Sequence, residues 1–427
     1  MKVTVIGLGK IGLPLAVQFA LKGQEVVGLE VNKLTVHKIN SGEVPFPGEK
    51  DLEKNLANAL KVGNLHATTD AKESLQRAEV IVVCIPLILN NYFEPDFESI
   101  DLVVKNIAKY MQPGTLISFE TTLPVGTTRN RFTKILEDGS SLKVGEDFFV
   151  VFSPERVFTG RFFSDLSNYP KLVGGVTNLC TNKGVDFYRL VLDFQLRSDL
   201  KRENGVWDLQ TCENAEFAKI AETTYRDVNI GLANEFAVFA RDNNIDINSV
   251  IEASNSQPYS HIHEPGISVG GHCIPVYPYF YMFSNPDSSI VKSARRRNEL
   301  MPSYVVQEIK ASIGSLEGLA IGVFGLSYRP GVKEMAYSGS LILLNILKKE
   351  GAKVFGIDPL YEHSEIASLG FNPIKDFRKI EGVIIHTAHE DFKGLNFNEF
   401  EKLKFIFDGR KLLSKGTIDK RIAFMSF

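Results

Sequence analysis

The sequence predicts an α/β chain with a doubly wound parallel sheet at each end and a central helical domain, carried by one long spine helix, between them. Three observations predict it. Val3-Thr-Val-Ile-Gly7-Leu-Gly9-Lys10-Ile11-Gly12 joins an apolar strand to a glycine turn and then to the helical pattern Leu13 to Leu21. Val323-Phe-Gly325-Leu-Ser followed by Lys353-Val-Phe-Gly-Ile-Asp358 repeats Val5-Ile-Gly7-Leu-Gly followed by Gln24-Glu-Val-Val-Gly-Leu-Glu30, as successive βαβ units do. Glu213 to Asp242 reads as one helix, with no proline and Gly231 as its only breaker.

Further strands of the first sheet are expected at Ala78 to Ile85, Thr115 to Phe119 and Asp147 to Phe152, each a short apolar run between polar or Pro/Gly signals. Gly382 to His386, less its polar ends, and Lys404 to Phe407 are the matching runs of the last sheet. A chain of 427 residues exceeds one typical core. The boundaries drawn are 1–200, 201–300 and 301–427, the middle segment also being the expected dimer surface.

Chemistry enters at the first turn. Gly7, Gly9 and Gly12, with Lys10 and Ile11 between them, let backbone N–H groups approach a pyrophosphate at a helix N-terminus. The next strand ends in Glu30, roughly 20 residues on, where the adenosine ribose 2′-hydroxyl should lie. A carboxylate there accepts from the hydroxyl and repels a 2′-phosphate, so NAD is expected rather than NADP. This is a Rossmann-like dinucleotide domain.

Ser268-Val-Gly270-Gly271-His272-Cys273-Ile-Pro-Val-Tyr277-Pro278 places a cysteine behind two glycines. A thiol near a nicotinamide suggests oxidation through a covalent thio-intermediate. On the spine helix Lys219, Thr223 and Arg226 fall at i, i+4 and i+7 and share a face. His261, His263, His272 and Cys273 are zinc-type residues, but adjacent ligands suit a tetrahedral site poorly, so no metal is expected.

The net charge of −3 gives no electrostatic case for nucleic acid or an anionic membrane as a partner. Cys84, Cys180, Cys212 and Cys273 are widely spaced, without CxxC pairs, and the first strand leaves no room for a signal peptide. Reduced thiols and a cytoplasmic location are expected. No apolar run reaches the roughly 18 residues of a spanning helix.

The chain resembles the nucleotide-sugar 6-dehydrogenases, the UDP-glucose, GDP-mannose and UDP-N-acetylhexosamine dehydrogenases, over essentially its whole length. The matching segments are Gly7-Leu-Gly-Lys-Ile-Gly-Leu-Pro-Leu-Ala16, Glu120-Thr-Thr-Leu-Pro-Val-Gly-Thr127, Ser153-Pro-Glu-Arg156, Ala215-Glu-Phe-Ala-Lys219, Arg226-Asp-Val-Asn229, Gly270-Gly-His-Cys273, Gly325-Leu-Ser-Tyr-Arg329 and Asp408-Gly-Arg410. Pro-Glu-Arg156 and Gly-Gly-His272-Cys look like the UDP-N-acetylhexosamine branch, because the other branches more usually show Pro-Glu-Phe and Gly-Gly-Ser-Cys.

The resemblance implies oxidation of the sugar C6 alcohol to a carboxylate with two NAD, feeding surface-polysaccharide synthesis, and the spine helix suggests a homodimer. It implies that Cys273 adds to the aldehyde, Lys219 stabilises the alkoxide, and Glu155 and Thr122 hold the sugar and order the hydrolytic water, with Thr223 beside them. Pro86 and Thr121 are expected to join the fingerprint at the cofactor. Arg156, Asn255, His272, Gly270, Gly271, Tyr277, Arg329 and Arg410 are expected to bind the UDP-sugar. Gly270 and Gly271 would let the sugar approach the backbone, and the two C-terminal arginines suit the diphosphate and uridine.

Four positions depart from the family pattern. Tyr277 stands where the family has aspartate, Thr223 where it has asparagine, Ala336 where arginine is common, and Leu87-Ile88 where Thr-Pro follows the strand. Other readings stay open: a UDP-glucose 6-dehydrogenase, a two-electron dehydrogenase that does not need Cys273, and a sensor that binds UDP-sugar without turnover.

Overall fold

The computed structural model describes residues 1–427, the side chain of Lys415 excepted. The chain divides into two compact units, Met1–Glu222 with Tyr279–Ser284, and Thr223–Pro278 with Asn285–Phe427.

The first unit holds β1 (Lys2–Ile6), β2 (Glu25–Leu29), β3 (Leu65–Thr68), β4 (Val80–Val83), β5 (Ile88–Leu89), β6 (Pro95–Asp96), β7 (Leu116–Phe119), β8 (Phe149–Phe152), β9 (Lys171–Gly175) and β10 (Val206–Thr211). Eight of them form one sheet in the order β10-β9-β8-β7-β4-β1-β2-β3, and β5 and β6 form a separate antiparallel pair. All neighbours in the large sheet run parallel except β8 and β9. Every residue of β4, β7 and β8 is buried, as strands covered on both faces must be. The expected runs Ala78 to Ile85 and Asp147 to Phe152 shrink to Val80–Val83 and Phe149–Phe152, because their end residues lie beyond the ladder.

The second unit holds β11 (Ala320–Phe324), β12 (Lys353–Ile357), β13 (Gly382–Ile385), β14 (Phe405–Asp408) and β15 (Ala423–Ser426), all parallel, in the order β12-β11-β13-β14-β15. Successive side chains point to opposite faces. Ile321, Val323 and Ile384 therefore pack with Leu343 and Leu347 of the helix Gly339–Lys349, while Phe324, Val383 and Ile385 pack on the other side with Phe392, Phe397 and Phe400.

The sequence echo is a structural one. Strands β2-β1-β4-β7-β8 of the first sheet lie in the same order as β12-β11-β13-β14-β15 of the second. Gly7 and Gly325 both leave their strand with positive φ, +86° and +83°. Their amides donate to Leu29 and Ile357 at 2.9 and 2.8 Å. The next amide then donates to the acid ending the second strand, Leu8 to Glu30 at 3.0 Å and Leu326 to Asp358 at 2.7 Å.

Between β10 and β11 the regular elements are helices, the longest being Cys212–Asp242 and Ser289–Ile313. The first is the expected spine, begun one residue earlier than its pattern. Gly231 has a packing reason, since a Cβ there would lie 2.9 Å from the Ala294 Cβ and 3.0 Å from its Cα. No helix among the described residues is long and apolar enough to cross a membrane.

A buried polar ladder ties the two helices together within the second unit. Asp227 Oδ1 accepts from Arg295 Nη1 at 2.6 Å and from Asn298 Nδ2 at 2.8 Å. Asn234 Nδ2 donates to Asn298 Oδ1, and Asn234 Oδ1 accepts from the Gly266 amide. Removing one member of such a pair leaves a buried charge uncompensated. Arg295→Leu is expected to lower unfolding stability by about 3–5 kcal/mol, read from urea denaturation; a loss within experimental error would show that the pair holds nothing.

Candidate active site

The residues expected at the cofactor lie along the carboxyl ends of β1, β2, β4 and β7, where a doubly wound sheet opens its binding crevice. Gly12 starts the helix Gly12–Leu21, and a Cβ on it would fall 1.8 Å from the Gly7 carbonyl oxygen, so only glycine permits the turn. Gly9 faces open space, with no atom within 4 Å of where its Cβ would be. The helix has Ile11 at its N-cap and no side-chain cap, which suits an anion supplied by a ligand. Lys10 is half-buried beside it.

Glu30 is fixed at the rim of this turn. Its Oε2 accepts from the Leu8 amide and its Oε1 from the Asn32 amide, both at 3.0 Å. A carboxylate has about four acceptor sites, so capacity for a ribose hydroxyl remains. Pro86 is exposed just past β4, and Thr121 donates to the Ile85 carbonyl at 2.5 Å, tying the β4 and β7 loops. These residues fit a dinucleotide with an unmodified ribose.

The first unit also carries Thr122 and Lys219, each 5% exposed, and Glu155. Glu155 accepts from its neighbour Arg156 N at 2.8 Å and from Lys171 Nζ at 2.9 Å. Lys171 also donates to Glu120 at 2.5 Å, and Tyr188 donates its hydroxyl to Glu120 as well. Burial pushes Glu120 up to about 7; Lys171 opposes the rise and Glu155 adds to it. Burial alone would pull the Lys171 ammonium down, but Glu120 and Glu155 outweigh it and hold it above the ordinary lysine value. Arg156 donates from Nε to Glu222 at 2.8 Å and from Nη1 to the Pro170 carbonyl at 3.4 Å.

The sequence does not single out Lys171 or Tyr188, and it marks Glu120 only through its motif. A lysine heading the run Lys171-Leu-Val-Gly-Gly175 reads as a strand end in solvent. Glu120 did carry a signal, an acid closing an apolar strand as Glu30 and Asp358 do.

The second unit places Thr223 fully buried on the spine helix and Cys273 half-buried, in a loop held by the helix-borne polar groups. Asn229 donates to the His261 carbonyl at 2.8 Å and accepts from the His263 amide at 2.9 Å, and Arg295 Nη1 reaches the Ile274 carbonyl at 3.4 Å. The Cys273 carbonyl accepts from the Tyr277 amide at 2.9 Å, so the cysteine stands one turn ahead of the helix Tyr277–Ser284. Asn255 uses both ends of its amide on the backbone of Ile262, at 2.9 and 2.8 Å, and so closes this loop at its start.

Gly270 and Gly271 have a reason beyond the expected approach of a sugar. A Cβ on Gly270 would lie 2.5 Å from the Tyr328 Cβ, and Gly271, at φ +96°, donates its amide to Ala336 at 2.8 Å. His272 is exposed and sits 3.5 Å from a Glu334 oxygen. Arg329 stacks over the Tyr328 ring at 5.8 Å. Arg410 donates from Nε to the His386 carbonyl at 2.9 Å, and its Nη1 occupies the space that a Gly266 Cβ would need. His386 is fully buried against Ser268; burial, with the Arg410 charge adding to it, pulls its imidazole down to about 3, so it is neutral at physiological pH.

A glycine turn ahead of an uncapped helix, with an acid ending the next strand, is a frame that accepts a dinucleotide, and it puts this protein among the dinucleotide-binding Rossmann-type proteins. The rest of the chain narrows that class. Residues 1–192 match the NAD binding domain of the UDP-glucose/GDP-mannose dehydrogenase family, 213–299 its central domain and 322–415 its UDP binding domain, and the chain belongs to that family. It is an NAD-dependent dehydrogenase of a UDP-sugar.

Over 424 residues it is 34% identical to the UDP-N-acetyl-D-mannosamine dehydrogenase of Pyrococcus horikoshii, covering 97% of this chain and 96% of that one. A solved structure of the UDP-D-ManNAc dehydrogenase from Pyrococcus horikoshii superposes with a TM-score of 0.88 at 31% identity, over 100% of this chain and 99% of the other. The UDP-N-acetyl-mannosamine dehydrogenase from Staphylococcus aureus gives 0.83 at 29% identity, over 100% and 98%.

Replacing Glu30 by Ala is expected to weaken NAD binding about 10- to 100-fold, the worth of a hydrogen bond to a charged group, and to spare NADP. Fluorescence titration of both cofactors checks this, and an equal loss for the two would remove Glu30 from the ribose.

Proposed function

We propose that the protein oxidises the C6 hydroxyl of a UDP-N-acetylhexosamine, UDP-N-acetylmannosamine or UDP-N-acetylglucosamine, to the uronic acid in two successive NAD-dependent steps that feed surface-polysaccharide synthesis. The observation that carries the reading is that Cys273, Lys219 and Glu155 stand in family-like segments of a chain matching, over 97% of its length, a relative that bears the mannosamine name. That relative favours the manno epimer.

NAD, when bound, takes up the hydride that each oxidation releases. The protein's own groups do the rest. Lys219, buried on the spine helix, is the side chain assigned to stabilise the developing alkoxide, as a cation in a low-dielectric site does. The Cys273 thiol adds to the aldehyde carbon, and the second oxidation turns the thiohemiacetal into a thioester. Covalent attachment keeps the carbon aligned for the second step. Glu155, with Thr122, orders the water that hydrolyses the thioester. Arg156 and His272 are the donors assigned to the acetamido carbonyl, Arg329 and Arg410 to the diphosphate and uridine. Asn255 acts through the loop that it closes, and Gly270 and Gly271 through the close packing that they allow.

The order of the family segments supports domains at 1–200, 201–300 and 301–427. Four free cysteines suit a reducing cytoplasm. Tyr277, in place of an aspartate, supports a second reading in which the reaction stops short of hydrolysis.

NADH formed per sugar consumed separates these readings. Two NADH per UDP-N-acetylmannosamine are expected, with no uronic acid from Cys273→Ala. One NADH with a trapped aldehyde or thioester would favour the second reading, and none with either N-acetyl sugar would overturn the substrate.

The spine helix supports a homodimer. Tyr225, Leu232, Phe236 and Phe239 are 56%, 44%, 38% and 62% exposed and follow one another by seven, four and three residues, an apolar stripe that a second copy of the same helix would cover. Phe236→Asp with Phe239→Asp is expected to give monomers in sedimentation equilibrium; a monomeric wild-type protein would end this assignment.

A further inference from the structure

One buried cluster has no part in the reaction so far, and it stands directly behind Glu155. Lys171, at the start of β9 and 3% exposed, bridges Glu120 and Glu155. The second oxygen of Glu120 accepts from Tyr188, on the helix Asn178–Val191, and Tyr188 shares a 2.7 Å hydrogen bond with Ser118 of β7. The Cys84 thiol, just past β4, feels the charges of Glu120, Lys171 and Glu155; burial, the largest influence, keeps it protonated. The nearby guanidinium of Arg156 is paired with Glu222.

One ammonium therefore faces two carboxylates, leaving one excess negative charge where water is scarce. Such a cluster relieves itself by binding a proton. Of the two acids, Glu120 is the more buried, with a side chain that shows no surface against 8% for Glu155. Lys171 touches both, so a proton arriving at one acid has a continuous path to the other.

We propose that Lys171 and Glu120 form a proton relay behind Glu155, which returns Glu155 to its carboxylate form after it has deprotonated the hydrolytic water. The proposal rests on Glu155 being that base. In hydrolysis the water oxygen bonds to the thioester carbon, a water proton goes to Glu155, and the C–S bond breaks with its electron pair on sulfur. Glu155 passes its proton to Lys171 Nζ as Lys171 gives one of its own to Glu120. Glu155 is again a carboxylate, Lys171 again an ammonium, and Glu120 holds the proton until it returns by the same path after the product has left. Lys171 and Glu120 are positioning residues, since they act through Glu155.

The relay works only while Glu120 is empty, so hydrolysis slows as pH falls through the Glu120 titration, near 7. The test is rapid-quench measurement of thioester decay against pH, normalised to the first NADH burst. Wild type is expected to show an acid limb near pH 7. Glu120→Gln is expected to lose the limb and to decay about tenfold more slowly on the alkaline plateau, below the range for a direct acid or base. Tyr188→Phe removes a donor that stabilises the Glu120 carboxylate, so the limb moves to higher pH; a merely structural cluster would move neither.

If Glu120→Gln does not fold, Glu120→Asp keeps a carboxylate and should keep the limb. A second readout needs no turnover: a protonated-carboxyl infrared band that titrates near pH 7 in wild type and not in Glu120→Gln. A wild-type limb surviving in Glu120→Gln, or no such band in wild type, overturns the relay. Glu155→Gln separates the two readings, because undiminished thioester decay there would refute Glu155 as the base, whereas slow decay with an unchanged Glu120→Gln profile would sink the relay alone.

Discussion

The loop that carries Cys273 has no strand or helix of its own between Asn255 and Tyr277, and what fixes it is polar attachment to the spine helix. Asn229 holds the backbone at His261 and His263, Asn234 holds Gly266, and Asp227 fixes the Arg295 guanidinium that reaches Ile274. A backbone without a ladder must place its buried N–H and C=O groups on side chains, and these are the side chains that take them. Burial raises the Asp227 carboxyl to about 6, against Arg295 and Asn298, which both favour its charged form. In the proposed reaction the Cys273 thiol must stand at a defined distance from its carbon, and these attachments fix the backbone that carries it.

The two sheets show one device put to two uses. In both, glycine at positive φ turns the chain back and the following amide docks on an acid ending the neighbouring strand. In the first unit the helix starts within the turn, at Gly12, and the acid stays partly open to a ligand. In the second the helix waits until Gly339, the intervening segment packs Tyr328 and Ala336 against the Gly270-Gly271 loop, and Asp358 is closed off by His389 at 3.2 Å. The same strand order therefore presents a dinucleotide crevice in one unit and, in the other, a platform for the cysteine loop.

The cluster around Lys171 illustrates how burial turns ordinary residues into a coupled system. Glu120, Glu155, Lys171 and Tyr188 come from separate stretches of chain and become partners only because β7, β8 and β9 lie side by side.

By itself the sequence determined what is written locally: both parallel sheets, the spine helix, the glycine turns, the acids Glu30 and Asp358, and the motif that contains Cys273. Backbone conformation and strand burial are short-range demands, so Gly7, Gly12 and the apolar runs announce them. Only the tertiary structure decided the antiparallel β8–β9 pair, the edge strand β10 and the small Ile88–Asp96 pair, because a strand's sequence does not state the direction of its neighbour. It also decided that Lys171 is interior, that Asn255 closes a loop, and that Gly270 and Gly271 make room for Tyr328 and Ala336. Each depends on which distant residue comes within hydrogen-bonding or van der Waals distance, and that proximity exists only once the sheets have assembled.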